Sequence, residues 1–214
     1  METKKPKGKD SLKIRSSAFS RSAIKGKIFV ISGPSGSGKT TLLAKLLHDK
    51  KIGRILVKSC SVTTRPRRAG ERQGRDYFFV GKNEFNRLLK AKKILEWTRY
   101  LGYYYGTPKD LVETRLKEGK HIGLCLDING ARILRKKYPR NAVTIFVLPP
   151  SLKTLKTRIE SRRRETSKEE VRQRLFLAKQ EILAASQFKY CVLNENLKSA
   201  LEVLKKIFFK ETVS

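Results

Sequence analysis

The chain has 214 residues, 39% of them hydrophobic, which suits one globular domain, or one core carrying small inserted lobes, and excludes a disordered protein. Its 50 Lys and Arg against 19 Asp and Glu give a formal charge of +31, so polyanionic partners have to be considered. No run of eighteen apolar residues is present, which excludes a membrane-spanning helix, and three scattered cysteines exclude a disulfide framework.

Residues 1–26 carry eight basic and two acidic side chains, a net of +6, and read as a disordered basic tail. The serine-containing stretch 11–23 faintly resembles an organelle transit peptide, against which Glu2 and Asp10 count. The other residues keep +25 of the +31, so the basicity is spread along the chain, whereas a recognition patch would be clustered. That disfavours a dedicated nucleic-acid site and predicts only weak association with polyanions, fading as salt rises. Cys60, Cys125 and Cys191 are expected to be free thiols, each a small buried hydrophobe, in a soluble cytoplasmic protein.

The apolar run Lys27–Ile31 reads as a strand, and it leads into Gly33-Pro34-Ser35-Gly36-Ser37-Gly38-Lys39-Thr40. These eight residues fill every position of the phosphate-binding pattern G-x-x-x-x-G-K-[ST]. Glycines let the backbone curl so that successive N–H groups converge on phosphate oxygens, and the helix that follows, marked by Thr41-Leu42-Leu43-Ala44-Lys45-Leu46-Leu47, offers its positive end. Lys39 is expected at the β- and γ-phosphates and Thr40 at Mg²⁺. The prediction is a site for ATP with Mg²⁺, lined by residues 33–40 and Thr41.

Apolar strands then alternate with helices, the pattern of parallel βαβ units. Further strands are expected at Ile55–Ser61, Ile122–Ile128, Ala142–Leu148 and Tyr190–Leu193. Thr107 and Pro108 are read as N-cap and first residue of a helix over Lys109–Lys117, closed by Gly119, and Ser151 and Ser167 as caps of two later helices. The last helix, Lys198–Phe208, carries a core-facing stripe of Leu201, Leu204, Ile207 and Phe208. The fold class is α/β: a P-loop core with a parallel sheet flanked by helices.

Two segments break the alternation. Residues 59–107, with strand-like Asp76–Val80 and Glu96–Thr107 around a short helix near Asn83–Ala91, read as an inserted mixed α/β lobe. Residues 158–174, rich in arginine and free of glycine, read as a lid. The expected organisation is a core of 27–58, 108–157 and 175–208, with a C-terminal tail at 209–214.

The segments Ser61-Val62-Thr63-Thr64-Arg65-Pro66-Arg67-Arg68-Ala69-Gly70-Glu71, Gly74–Val80 and Tyr104-Tyr105-Gly106-Thr107, in this order, resemble the guanylate kinase family. The resemblance runs from about Gly26 to Phe208 and implies Mg-dependent transfer of a phosphoryl group from ATP to GMP, with dGMP accepted less well and AMP refused. It implies that Arg65, Arg68 and Tyr77 hold the GMP phosphate, for which guanidinium forks and a phenol are suited. Glu96 then reads guanine, whose edge offers N1–H and N2–H₂ together, with Ser61 and Thr107 completing base recognition and Tyr105 contacting the nucleotide. Asp127 falls in the GMP and Mg²⁺ environment, Asn194 near the ATP adenine, and Arg158, Arg162 and Arg174 match the lid arginines that, with Lys39, neutralise the transferred group. The chain departs from the family at Cys125, where many relatives carry an acid, and at Arg163, where a glycine is usual.

Two other readings share these features. Scaffold modules of the same fold bind protein at the lobe, but they lose the phosphate loop that is intact here. A P-loop protein acting on RNA would use the charge and leave Arg65, Arg68, Tyr77 and Glu96 unexplained.

Overall fold

The structure, a computed structural model, describes residues 25–161 and 167–213. All but the last two residues of the basic segment 1–26 lie outside the described residues. In chain order the first elements are β1 (Ile28–Ser32), α1 (Lys39–Leu47), β2 (Leu56–Lys58), β3 (Val62–Thr63), β4 (Phe78–Phe79), α2 (Lys82–Lys90), β5 (Ile94–Tyr100) and β6 (Tyr103–Pro108). They continue as α3 (Lys109–Lys117), β7 (His121–Cys125), α4 (Ile128–Lys137), β8 (Ala142–Leu148), α5 (Leu152–Ser161), α6 (Lys168–Leu183), β9 (Tyr190–Leu193) and α7 (Leu197–Thr212).

Five parallel strands in the order β2-β7-β1-β8-β9 make the core sheet. Every residue of β1 is buried, as a central strand covered on both faces must be. Alternation sends Phe29 and Ile31 into one layer with Leu42, Leu43 and Leu46 of α1 and Leu204 and Phe208 of α7. It sends Ile28 and Val30 into the other layer, with Val112 and Leu116 of α3 and Ala131 and Leu134 of α4. The Phe29 and Phe208 rings lie 4.8 Å apart, and full burial of each such side chain contributes about 1.5–3 kcal/mol. With β1 pinned between two helical layers, the loop that follows it is fixed at the carboxyl end of the sheet, where α/β folds bind ligands.

A second, four-stranded sheet in the order β4-β3-β6-β5 pairs β3 parallel to β4 and antiparallel to β6, with β5 and β6 as a hairpin. Helix α2 covers one face of it through Phe85, whose ring stacks on Tyr104 at 5.5 Å. Strand β6 runs directly into α3, returning the chain to the core.

Several expectations change. The apolar stretch read as one strand over Ile55–Ser61 divides, because Leu56–Lys58 pairs with β7 while Val62–Thr63 pairs with β4 and β6 of the other sheet. Strand β7 stops at Cys125, not Ile128, since Asp127 caps α4 by accepting the Gly130 N–H at 2.8 Å. Thr107 does not cap α3: it lies in β6 with its hydroxyl donated to Glu96, and Pro108 takes the cap position. Ser151 and Ser167 do cap their helices, accepting from Thr154 N and Glu170 N. The segment read as a lid contains the end of α5 and the start of α6. Residues 209–212, read as part of a tail, continue α7, where Glu211 is buried and joined to Lys189 and Tyr190. Cys60 is buried as expected, but Cys125 is half-buried and Cys191 exposed.

The β5–β6 hairpin turns on Leu101 and Gly102, with φ of 47° and 84°. Positive φ at both central residues suits Asn-Gly, whereas a leucine there costs about 1 kcal/mol. Leu101→Asn is therefore expected to raise the thermal unfolding midpoint by about 2–4 °C, read by scanning calorimetry.

Candidate active site

The loop after β1 is shaped by Gly33, Gly36 and Gly38, which hold φ of 134°, 88° and 99°. A Cβ on Gly33 would strike the Val147 carbonyl, and one on Gly38 the Asn194 amide, so space as well as conformation demands glycine at both. Ser37 N–H donates to the Pro34 carbonyl at 3.0 Å and closes the turn. Helix α1 then begins with neither a side-chain cap nor an acid in its first turn, which leaves its N–H groups for an anion. Lys39 Nζ folds back onto the Gly33 and Pro34 carbonyls at 2.5 and 2.9 Å.

Side chains from distant parts of the chain meet this loop. Asn194, only 4% exposed, donates from Nδ2 to the Ser37 carbonyl at 2.7 Å and so braces the loop from behind. Arg158 of α5 donates to the Asn194 carbonyl at 3.3 Å, and Arg174 of α6 to Ser35 Oγ at 3.5 Å. Arg158 Nη1, Arg174 Nε and Ser37 Oγ are buried atoms with no hydrogen-bond partner among the described residues. Leaving such a donor unpaired costs about 1–3 kcal/mol, so three of them around one loop mark where acceptor oxygens fit. Arg162 lies outside the described residues.

The second sheet brings Arg65, Tyr77 and Tyr105 together. Arg65 is 6% exposed, its guanidinium 5.4 Å from the Tyr77 ring centre and paired with the two Glu71 oxygens at 2.8 and 3.0 Å. Burial acts to lower its pKa, but the Glu71 pairing and the neighbouring phenols outweigh it and the net direction is up. The Tyr77 and Tyr105 rings lie 6.0 Å apart. Burial pushes the Tyr77 hydroxyl up to about 12, so it remains a proton donor at neutral pH. Arg68 is exposed, and its backbone N–H also donates to Glu71. Ser61 is half-buried, with its carbonyl accepting from Phe78 N–H.

Glu96 is 5% exposed and accepts the Thr107 hydroxyl. Gly130 makes room for it, since a Cβ there would come within 2.7 Å of Glu96 Oε2. Burial pushes the Glu96 carboxyl up to about 7; the nearby Asp127 adds to this, while the Thr107 bond and Lys137 oppose it. Asp127 reaches the site by capping α4, and Ser32 Oγ ties its carbonyl to the end of β1 at 3.2 Å. Cys125 lies between the two halves of the site, where burial pushes its thiol up while the nearby Lys39, Lys58 and Thr40 act the other way.

Three residues at the site were missed in the sequence. Glu71 holds Arg65; Tyr100 shares the sheet face of Tyr105; Glu181 faces Lys39 and Asp127, its carboxyl raised by burial to about 7. Glu181 lies seven positions after Arg174, two turns along the same helical face, and that spacing was a readable signal.

A family model described as guanylate kinase matches residues 25–211. A guanylate kinase of Thermotoga maritima is 43% identical over 189 residues, with 88% of each chain covered. One of Mycoplasma genitalium is 41% identical over 188 residues, covering 88% of this chain and 77% of that protein. The crystal structure of guanylate kinase from Anaplasma phagocytophilum superposes with a TM-score of 0.73 at 31% identity, covering 89% of this chain and 88% of that one.

Glu96 also sets a pH dependence. Its folded-state value of about 7 exceeds its ordinary 4.5, so the folded protein holds a proton that the unfolded chain releases, and stability falls as pH rises between these values. Glu96→Gln is expected to gain stability over the parent at pH 8, on the order of 3 kcal/mol at most, and almost none at pH 4. Urea unfolding at the two pH values reads the difference; an equal gain at both would remove burial of charge as its cause.

Proposed function

The chain belongs to the guanylate kinase family and carries out that family's reaction, transfer of a phosphoryl group from ATP to GMP; from this premise we propose which of its own residues perform each part. The observation that carries the assignment is the convergence on the phosphate loop of three buried donors that have no partner among the described residues.

In this reading the loop N–H groups and Lys39 take the β- and γ-phosphates of ATP, and Arg158 and Arg174 neutralise charge on the group in transfer. Phosphoryl transfer needs positioning and charge stabilisation more than covalent chemistry. No general base is required, because the GMP phosphate is itself the nucleophile. Arg65, Arg68 and Tyr77 hold that phosphate, Arg65 turning from Glu71 to do so. Ionised Glu96, oriented by the Thr107 hydroxyl, accepts guanine N1–H and N2–H₂; adenine, with an acceptor at N1, is refused. Ser61 and Tyr105 complete the pocket, and dGMP is a second acceptor. Asn194 serves ATP through the loop, by fixing the Ser37 carbonyl.

Among the described residues no cluster of three His, Cys, Asp or Glu could hold a metal ion, and a nucleotide-bound Mg²⁺ does not need one, since phosphates and water supply most of its ligands. The Thr40 hydroxyl fits as its direct protein ligand and Asp127 as a partner of its waters. When bound, Mg²⁺ would supply charge neutralisation for the group in transfer. The free thiols support a reducing compartment, the cytoplasm.

A coupled ADP-release assay with Mg-ATP and GMP, dGMP, AMP, CMP or UMP tests the acceptor assignment, and turnover confined to the guanine nucleotides is expected. Lys39→Ala should lower kcat at least about 100-fold. Arg65→Ala should raise KM for GMP about 10- to 100-fold with little change for ATP, as the loss of charge-assisted bonds to one phosphate requires. Equal changes in both KM values would contradict the separation of the two sites.

A further inference from the structure

Strand β5 breaks its own alternation at one point. Successive side chains of a regular strand face opposite sides, yet the neighbours Leu95 and Glu96 are each only 5% exposed. The register explains this: Ile94 pairs with Pro108 and Trp97 with Gly106, so two residues of β5 stand opposite the single Thr107 of β6. That is a β-bulge, which bends a strand and re-aims a side chain. Here it turns Glu96 towards the Thr107 hydroxyl and Gly130, while Leu95 packs into the core layer that contains Leu134.

Helix α4 lies against the bulge. Asp127, Gly130, Leu134 and Lys137 recur at intervals of three and four residues and so share one helical face. Gly130 leaves space for the Glu96 carboxylate. Lys137, in the last turn, donates from Nζ to the Leu95 carbonyl, which belongs to the peptide group joining Leu95 to Glu96. None of the roles assigned above uses this ammonium, yet it holds the backbone of the bulge from the core side.

We propose that Lys137 is a positioning residue for acceptor recognition: it clamps the bulge at Leu95 and Glu96 and so keeps the Glu96 carboxylate aimed at the guanine edge. This rests on the assignment of Glu96 as the guanine reader. Lysine is suited to the task, because a cation is favoured in the last turn of a helix and its long stem reaches a carbonyl on a neighbouring strand. Burial, which raises the Glu96 carboxyl, is opposed by Thr107 and also by this ammonium, as a cation held beside the carboxylate would do.

The test is calorimetric titration of GMP and, separately, of a non-hydrolysable ATP analogue into the full-length protein. It compares the parent, Lys137→Met, Lys137→Arg, Glu96→Gln and the double variant Lys137→Met with Glu96→Gln. Lys137→Met keeps the apolar stem and removes the donor, so the Kd for GMP should rise about 3- to 10-fold, the range for one hydrogen bond. The Kd for the ATP analogue should stay as in the parent. Lys137→Arg keeps a donor and should bind GMP nearly as the parent does. Added to Glu96→Gln, Lys137→Met should cost little further affinity, because the clamp acts through Glu96. An unchanged Kd for GMP in Lys137→Met, equal losses for both ligands, no rescue by arginine, or additive losses in the double variant would each overturn the proposal. A Glu96→Gln variant that binds GMP as tightly as the parent would instead contradict the assignment of Glu96.

Discussion

A phosphate-binding loop must present N–H donors with nothing in front of them, and the remainder of this structure follows from that constraint. Three glycines give the curl, and two of them leave no room for a Cβ because Val147 and Asn194 are already against the backbone. The loop therefore depends on neighbours brought from far along the sequence: β8 at one side, the residue after β9 behind, and α5 and α6 above. Burying β1 between two helical layers fixes the loop's position, and bracing the Ser37 carbonyl fixes its shape. The same arrangement leaves buried donors on Arg158, Arg174 and Ser37 without partners among the described residues, a cost that acceptor oxygens at the loop would relieve.

The second sheet shows the opposite use of charge. A carboxylate at 5% exposure is held by one hydroxyl and a neighbouring acid raises its pKa further, so the free enzyme is destabilised at neutral pH by a group that guanine would satisfy. Arg65 is handled differently, being neutralised in advance by Glu71 and stacked on Tyr77. Exchange of Glu71 for a phosphate then costs less than uncovering a bare buried cation. Cys125 sits where these two charge systems approach each other, and its neighbours are Lys39, Lys58 and Thr40.

Local signals carried most of the fold in the sequence. Strand, loop and helix around residues 28–47 are marked by an apolar run, glycines and an amphipathic stretch, and the Ser151 and Ser167 caps by side-chain chemistry within three residues. What failed was decided at long range. Nothing in residues 56–63 announces that Lys58 and Val62 belong to different sheets, since their partners are β7 and β6. Thr107 has the chemistry of a cap but is claimed by Glu96, eleven residues earlier. The last turn of α7 is held by Lys189 and Tyr190, so its end could not be read from the helix itself. Of the site, phosphate-loop residues were legible from their own pattern, while the lobe residues became legible through the family resemblance. Glu181 could have been read from its two-turn spacing to Arg174, whereas Tyr100 became visible only once strand register had placed it.

The central physical claim is that guanine is recognised by Glu96 in its ionised form, although the free protein holds that group largely protonated below neutral pH. GMP binding near pH 6.5 must then expel a proton from the lobe. The direct measurement is calorimetry of GMP binding in two buffers of different ionisation enthalpy, comparing the parent with Glu96→Gln so that titration of the GMP phosphate cancels. The account predicts that the parent releases a substantial fraction of one proton more than the variant. Equal release by both would show that Glu96 does not ionise on binding and would contradict its place as the guanine reader.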